Sequence, residues 1–175
     1  MYVHPKYQDY KPHHSDHEFD LALIKLSFGL DIEDPKNGVF PVCLSPSKAP
    51  DFFNYATSGW VAGWGTRHEG RLETVSRLRH VKLPLVDRGV CERALATPDP
   101  ARPIADHMFC AGFERGGADA CQGDSGGAFV EKQRGVWVQS GIVSWGRGCG
   151  RPRKYGVMID VGFFYDWIVE TLYDN

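Results

Sequence analysis

The feature that most limits how this chain can fold is the rhythm of its apolar residues. β-branched and aromatic residues come in short runs, and Gly, Pro, Asn or Asp separates one run from the next. The runs cover residues 21–26, 40–44, 57–65, 78–86, 108–112, 127–132, 136–145 and 156–161. In 78–86, Val81, Leu83 and Leu85 alternate with Lys82 and Pro84, the period of a strand with one buried face. Many short strands divided by turn residues predict an all-β fold, a barrel or a sandwich.

Two stretches read as helix. Residues 87–95 form a short surface helix with Asp87 as its cap. Residues 161–173 place Val161, Phe164, Tyr165, Ile168 and Leu172 on one side at helical spacing, with Asp166, Glu170 and Asp174 elsewhere. That pattern predicts a terminal helix docked on the core. Residues 31–37 and 96–103, rich in Pro and Asp, read as exposed connections. There is no useful internal repeat and no low-complexity segment.

The chain has 175 residues, enough for one domain or slightly more. A net charge of −2 argues for no nucleic-acid or membrane-surface partner. Its apolar runs fall far short of the roughly 18 residues that span a bilayer. Met1-Tyr-Val-His-Pro-Lys-Tyr7 lacks the basic head and apolar stretch of a signal peptide. The five cysteines, Cys43, Cys91, Cys110, Cys121 and Cys149, show no zinc-like spacing. Disulfides in an oxidising compartment fit better, and the odd count leaves one cysteine to pair outside the chain or stay free.

Gly123-Asp-Ser-Gly-Gly127 sets a serine among small residues. Read as a plain glycine turn, it would arise by chance in a chain like this about once in several thousand. Small neighbours let a substrate and backbone N–H groups approach a nucleophile closely. Two N–H groups aimed at one point stabilise an oxyanion by about 3–4 kcal/mol per donor. Ser125 is therefore a candidate nucleophile, which needs a base beside it.

Residues 118–127, Ser144-Trp145-Gly146 and Asp20-Leu-Ala-Leu-Ile-Lys-Leu26 together resemble the trypsin-like serine proteases of the chymotrypsin fold. Met108-Phe-Cys-Ala-Gly112 and Tyr165-Asp-Trp-Ile168 extend the resemblance, which runs from about His4 to the end. The run Asp119-Ala-Cys-Gln-Gly-Asp-Ser-Gly-Gly-Ala-Phe129 is most similar to the complement-type proteases that end large modular chains. The resemblance implies a double β-barrel with a C-terminal α-helix. It implies the end of a first, incomplete barrel over about 1–45, a linker and a complete second barrel over about 46–160, and the helix over about 161–175.

The resemblance also assigns roles. Ser125 is the nucleophile, and Gly123 and Ser125 supply the oxyanion N–H groups. Asp20 orients the catalytic histidine, Ser144 hydrogen-bonds Asp20, and Ser144, Trp145 and Gly146 pair with the substrate backbone. The mechanism is the established one for the family's triad. Asp119, six residues before Ser125, is the floor of the primary specificity pocket and selects Arg or Lys. Ala120 beside it tilts the choice towards Arg, and Gly146 and Gly156 keep the pocket walls open. His17 lines the neighbouring pocket. Asp124 pairs with the α-amino group that zymogen cleavage creates; without that partner its segment is expected to swing out and disorder. Cys91–Cys110 and Cys121–Cys149 match two family disulfides, and Cys43 matches the cysteine that ties the catalytic domain to an upstream chain. Tyr155, where several relatives have proline, accompanies a sodium site in coagulation and complement members. No organic cofactor is implied.

The base is the gap in this assignment. The family's histidine stands several tens of residues before the aspartate in an Ala-Ala-His-Cys-like strand end, and the nineteen residues before Asp20 contain no such motif. The histidines are His4, His13, His14, His17, His68, His80 and His107. His4 matches a non-catalytic stretch, and none of the others matches the base. His13-His14-Ser-Asp16-His17 has no standard metal spacing and reads as a polar loop.

The expectation is a secreted serine endopeptidase domain that cuts protein or peptide substrates after Arg or Lys. It is expected to lack the catalytic histidine and the activation N-terminus. The alternative is a non-catalytic pseudoprotease or short-form binding module. A structural β-domain with a chance motif is a third reading.

Overall fold

The computed structural model describes residues 1–7, 17–46, 57–71, 73–96 and 104–174. β1 (Tyr2–Val3) and β2 (Ala22–Leu23) pair antiparallel as a small sheet. After β3 (Cys43–Leu44) come β4 (Ser58–Gly63), β5 (Arg79–Val86), α1 (Arg88–Leu95) and β6 (Met108–Ala111). β7 (Ala128–Gln133), β8 (Val136–Trp145), β9 (Gly156–Asp160) and α2 (Tyr165–Asp174) complete the order.

The main sheet runs β3-β8-β7-β4-β5-β6-β9, and β8 also pairs with β9. That last ladder closes β4 to β9 into a six-stranded barrel, which leaves those strands no open edge. β3 adds to the outside of β8 in parallel, Cys43 opposite Val138. The all-β expectation, with a barrel and a C-terminal helix, is borne out.

Side-chain size explains the closure. A Cβ at Gly59 would run into the Phe129 ring, and one at Gly141 would lie 2.6 Å from the Phe109 ring. Glycine at both positions lets the two rings meet edge to face, centroids 5.3 Å apart, in the barrel core with Leu83 and Met158. Val81, Leu83 and Leu85 face this core as their alternation predicts.

Asp87 caps α1, its Oδ1 accepting from the Val90 N–H at 3.0 Å. The Cys91–Cys110 disulfide stitches that helix to β6. The tail begins as a 3-10 turn, Val161–Phe164, capped by Asp160, before α2 starts. Val161, Phe164 and Ile168 are buried as predicted, but Leu172 is 66% exposed because the last turn runs past the core.

Two expected strands are short. In 21–26 only Ala22–Leu23 finds a ladder, and in 40–44 only Cys43–Leu44 does. Apolar alternation continues through Ile24, Leu26, Phe28, Leu30 and Ile32, yet these side chains are exposed. A strand needs a neighbour to pair with, and none of the described strands reaches them. Residues 31–37 are exposed as predicted except for half-buried Asp34, with a short 3-10 turn at Pro35–Asn37. Most of 96–103 lies outside the described residues.

Candidate active site

The site forms where three loops meet at one end of the barrel. The Cys121–Cys149 disulfide joins the loop before Ser125 to the loop after β8. Exposed Glu69 adds the third loop: the Arg151 Nε donates to its Oε2 at 2.6 Å, and the Arg151 Nη2 pairs with its Oε1. No sequence motif points to Glu69.

Ser125 is exposed at the tip of a tight turn. Gly123 and Gly126 sit at φ 93° and 79°, where a side chain is strained. Around Ser125 the N–H groups divide into two sets. Those of Asp124, Gly126 and Gly127 donate to the carbonyls of Cys121, Val143 and Asp124. Those of Gly123 and Ser125 have no acceptor among the described residues. The turn thus satisfies some of its donors internally and leaves these two without a partner among the described residues.

A cavity of about 120 Å³ opens beside Ser125, bordered by Asp119, Ala120, Ser144, Gly146 and Gly156. The Asp119 Oδ1 accepts from the Ala120 N–H at 2.8 Å, and Oδ2 accepts from the Gly150 N–H at 3.1 Å. Burial nevertheless pushes the Asp119 carboxyl up to about 6, against those two hydrogen bonds and with the help of nearby Asp124. A carboxylate at the border of such a cavity suits a cationic guest. The wall is close at Gly156, where a Cβ would lie 3.2 Å from the Asp119 Oδ1 and 3.3 Å from the Met158 Cε, and open at Gly146, where one would make only ordinary contacts.

Asp20 reaches the same end of the barrel from the segment before β2. Its Oδ2 accepts from the Ser144 hydroxyl at 2.6 Å. His17 stacks on Trp145 with centroids 6.1 Å apart. The structure therefore gathers Asp20, His17, Asp119, Ala120, Gly123, Ser125, Ser144, Trp145, Gly146 and Gly156 around one end.

Asp124 departs from expectation. It is turned inward, its Oδ1 accepting from the Gly65 N–H at 2.8 Å and its Oδ2 from the Cys121 N–H at 3.0 Å. Two backbone donors satisfy the carboxylate, so the segment stays in place instead of swinging out. A Cβ at Gly63 would collide with the Asp124 Oδ1, so only glycine admits this pose. A second cavity of about 410 Å³ borders Asp124, with His68 and His80 on its lining.

Among the described residues no hydrogen bond joins Ser125 to a histidine. His4 and His107 are buried elsewhere, and His80 packs on Trp60. His13, His14 and Asp16 lie outside the described residues.

Both expected disulfides are formed, and Cys43 is a free, exposed thiol. Tyr155 is buried in the core and flanks Gly112. The described residues hold no cluster of three or more His, Cys, Asp or Glu that could bind a metal. Among them no helix is long and apolar enough to cross a membrane.

A family model described as Trypsin matches residues 1–168. Tryptase of Mus musculus is 40% identical over 154 residues, covering 85% of this chain and 54% of that protein. Complement C1r-B subcomponent of Mus musculus is 37% identical over 175 residues, covering 99% of the chain and 23% of that protein. Testisin of Homo sapiens is 34% identical over 173 residues, covering 98% and 52%. The chain thus spans about half the length of two of these relatives and less of the third.

Proposed function

The chain belongs to the trypsin family of serine proteases, and on that premise we propose that it carries the nucleophile and specificity pocket of an endopeptidase that cuts after Arg or Lys. The observation that carries this reading is the shared cavity: Ser125 borders the space that Asp119 also borders.

In this reading the Arg or Lys side chain enters the cavity and pairs with Asp119. Ser125 then attacks the following carbonyl. The Gly123 and Ser125 N–H groups receive the oxyanion, and an acyl-enzyme forms that water hydrolyses. Trp145 and Gly146 lie along the substrate backbone, with Ser144 beside them, and His17 with Trp145 borders the adjoining subsite. Ala120 in place of a hydroxyl favours Arg. Asp20 orients the histidine that takes the Ser125 proton. Among the described residues no histidine hydrogen-bonds Ser125, and this reading assigns the base to none of them. Asp124 receives an α-amino group on activation.

Residues of about 1–45 then belong to a first barrel, about 46–160 to the linker and second barrel, and about 161–175 to the closing helix. The two disulfides suit an oxidising, extracellular setting. Cys43 joins the domain to an upstream chain.

The test is hydrolysis of arginyl and lysyl esters by a form extended to include the histidine, with Ser125→Ala as the control. We expect Arg/Lys turnover that Ser125→Ala abolishes. Cleavage after Phe instead would overturn the pocket assignment. Tight binding of an arginyl peptide with no turnover would favour the binding-module reading. For the 175-residue chain alone, kcat should fall by about six powers of ten, the cost of deleting the general base from a serine–histidine–aspartate triad.

A further inference from the structure

We propose that His107 is a positioning residue for Asp20: its neutral imidazole holds the backbone of Phe19, the residue before Asp20, and protonating that imidazole releases the segment. The catalytic meaning of this clamp rests on the role proposed for Asp20; the clamp itself does not.

Phe19 sits at φ 56°, a left-handed conformation that costs a non-glycine residue about 1–3 kcal/mol unless its surroundings enforce it. His107 supplies part of that enforcement. The Phe19 N–H donates to the His107 Nε2 at 3.2 Å, across 88 residues of sequence. The Phe19 ring is stacked on His107, centroids 4.4 Å apart, and also on His4, at 5.0 Å. The Phe164 edge meets it at 5.8 Å. His107 is 5% exposed and is anchored in turn, its carbonyl accepting from the Asp160 N–H at 2.9 Å. It therefore bridges the barrel to the segment that carries Asp20.

On the far side of Asp20, Leu21 is buried and its carbonyl accepts from the His4 N–H at 3.1 Å. Ser144 fixes one oxygen of the carboxylate, whereas His107 fixes the backbone from which the carboxylate projects. With the Phe19 dihedral free, Asp20 keeps the Ser144 bond and the Leu21 N–H to Phe19 carbonyl bond at 2.8 Å, but its backbone is less closely held.

The clamp needs Nε2 as an acceptor, so its ring proton must sit on Nδ1. A second proton turns Nε2 into a donor facing the Phe19 N–H, and the bond is lost. Burial opposes that proton and holds the His107 pKa below the usual imidazole range. Glu18 beside Phe19 and Asp106 before β6 favour the proton, while His4 and Arg88 oppose it. His4 is itself held low by burial, and Lys6 adds to the effect. The imidazole is thus neutral near pH 7 and becomes charged only in acid.

Amide hydrogen exchange on the 175-residue chain tests the clamp. After correction for intrinsic rates, the Phe19 amide should be protected at pH 7.5. It should lose at least about 10-fold of that protection at the acid pH where the His107 ring shifts in NMR report its protonation, while β6 and β9 keep theirs. His107→Gln, whose amide carbonyl accepts without titrating, should hold Phe19 at both pH values. His107→Phe keeps the stack without the acceptor and should lose protection at both.

Equal protection of wild-type Phe19 with His107 neutral and with His107 protonated overturns the proposal. So does a loss of protection shared by the barrel strands. If His107→Phe does not fold, the comparison of wild type with His107→Gln decides. In the histidine-supplied form, His107→Phe should lower kcat about 10-fold with KM unchanged, and His107→Gln should restore it. An equal fall in both variants overturns the positioning role. If no form hydrolyses a substrate, the proposed function fails while the exchange profile still judges the clamp.

Discussion

The Ser144 hydroxyl donates to the Asp20 Oδ2 at 2.6 Å, across 124 residues of sequence. Ser144 lies near the end of β8 and Asp20 precedes β2, so the bond joins the small sheet to the barrel. A charge-assisted bond of this kind is worth more than a neutral one. In the extended form, Ser144→Ala should lower kcat for an arginyl ester by about 10- to 100-fold with little change in KM. Steady-state kinetics checks this, and an unchanged kcat would remove the bond from the mechanism.

Under the proposed function, cation binding at Asp119 should depend on pH. Its carboxyl titrates at about 6, chiefly because it is buried. A bound amidinium favours the carboxylate, so below that pH binding must first expel a proton. The affinity for benzamidine should be flat above about pH 6 and fall up to about 10-fold per pH unit below it. For folding the sign is opposite. With a folded value above the ordinary 3.8, ionising Asp119 costs stability as pH rises from 3.8 to about 6, and the cost is absent in acid. Calorimetric titration across about pH 4.5–8 checks the binding limb. A flat affinity profile contradicts the assignment.

Gly156 tests the wall. The missing Cβ would stand 3.2 Å from the Asp119 Oδ1, so Gly156→Ala must shift the carboxylate or the Met158 methyl. Benzamidine affinity should fall by about 10-fold while the melting temperature changes little. Unchanged affinity would mean that the cation does not sit where proposed.

Glu131 is 1% exposed on β7. The Gln133 Nε2 donates to its Oε1 at 2.6 Å, while Oε2 has no hydrogen-bond partner among the described residues. Burial raises its pKa, and the Gln133 bond opposes that rise. A raised carboxyl costs stability above its unfolded value, and the cost disappears as the pH falls below that value. Glu131→Gln should therefore raise the melting temperature at pH 8, by an amount matching about 1 kcal/mol, and lose the advantage in acid. Thermal melts at about pH 8 and pH 4 check it; equal gains at both would point to packing instead of charge.

What can be read from the sequence depends on how local the cause is. The alternation of Val81, Leu83 and Leu85 and the Asp87 cap are set within a few residues, and both appear where the pattern puts them. The Gly123–Gly127 turn is legible because its glycines answer a backbone need. The gathering of Asp20, Ser144 and Asp119 follows from the resemblance, since no spacing rule reaches 124 residues. The Phe19–His107 bond is illegible because its donor is a backbone N–H, which no residue type advertises. The inward pose of Asp124 is hidden for the same reason, its donors being the backbone of Gly65 and Cys121. Leu172 obeys the helical period yet outruns the surface it was expected to cover.

β8 is a single long strand, bulged at Ser140 and Ser144, with different duties at its ends. Val138, near the start, lies beside Cys43, and Ser144 stands six residues further on, about 20 Å away at strand spacing. A second polypeptide tethered to Cys43 would therefore hold one end of a strand whose other end carries the Asp20 contact. Tension at that tether would meet two bends on the way, at Ser140 and at Ser144, before it reached the cavity.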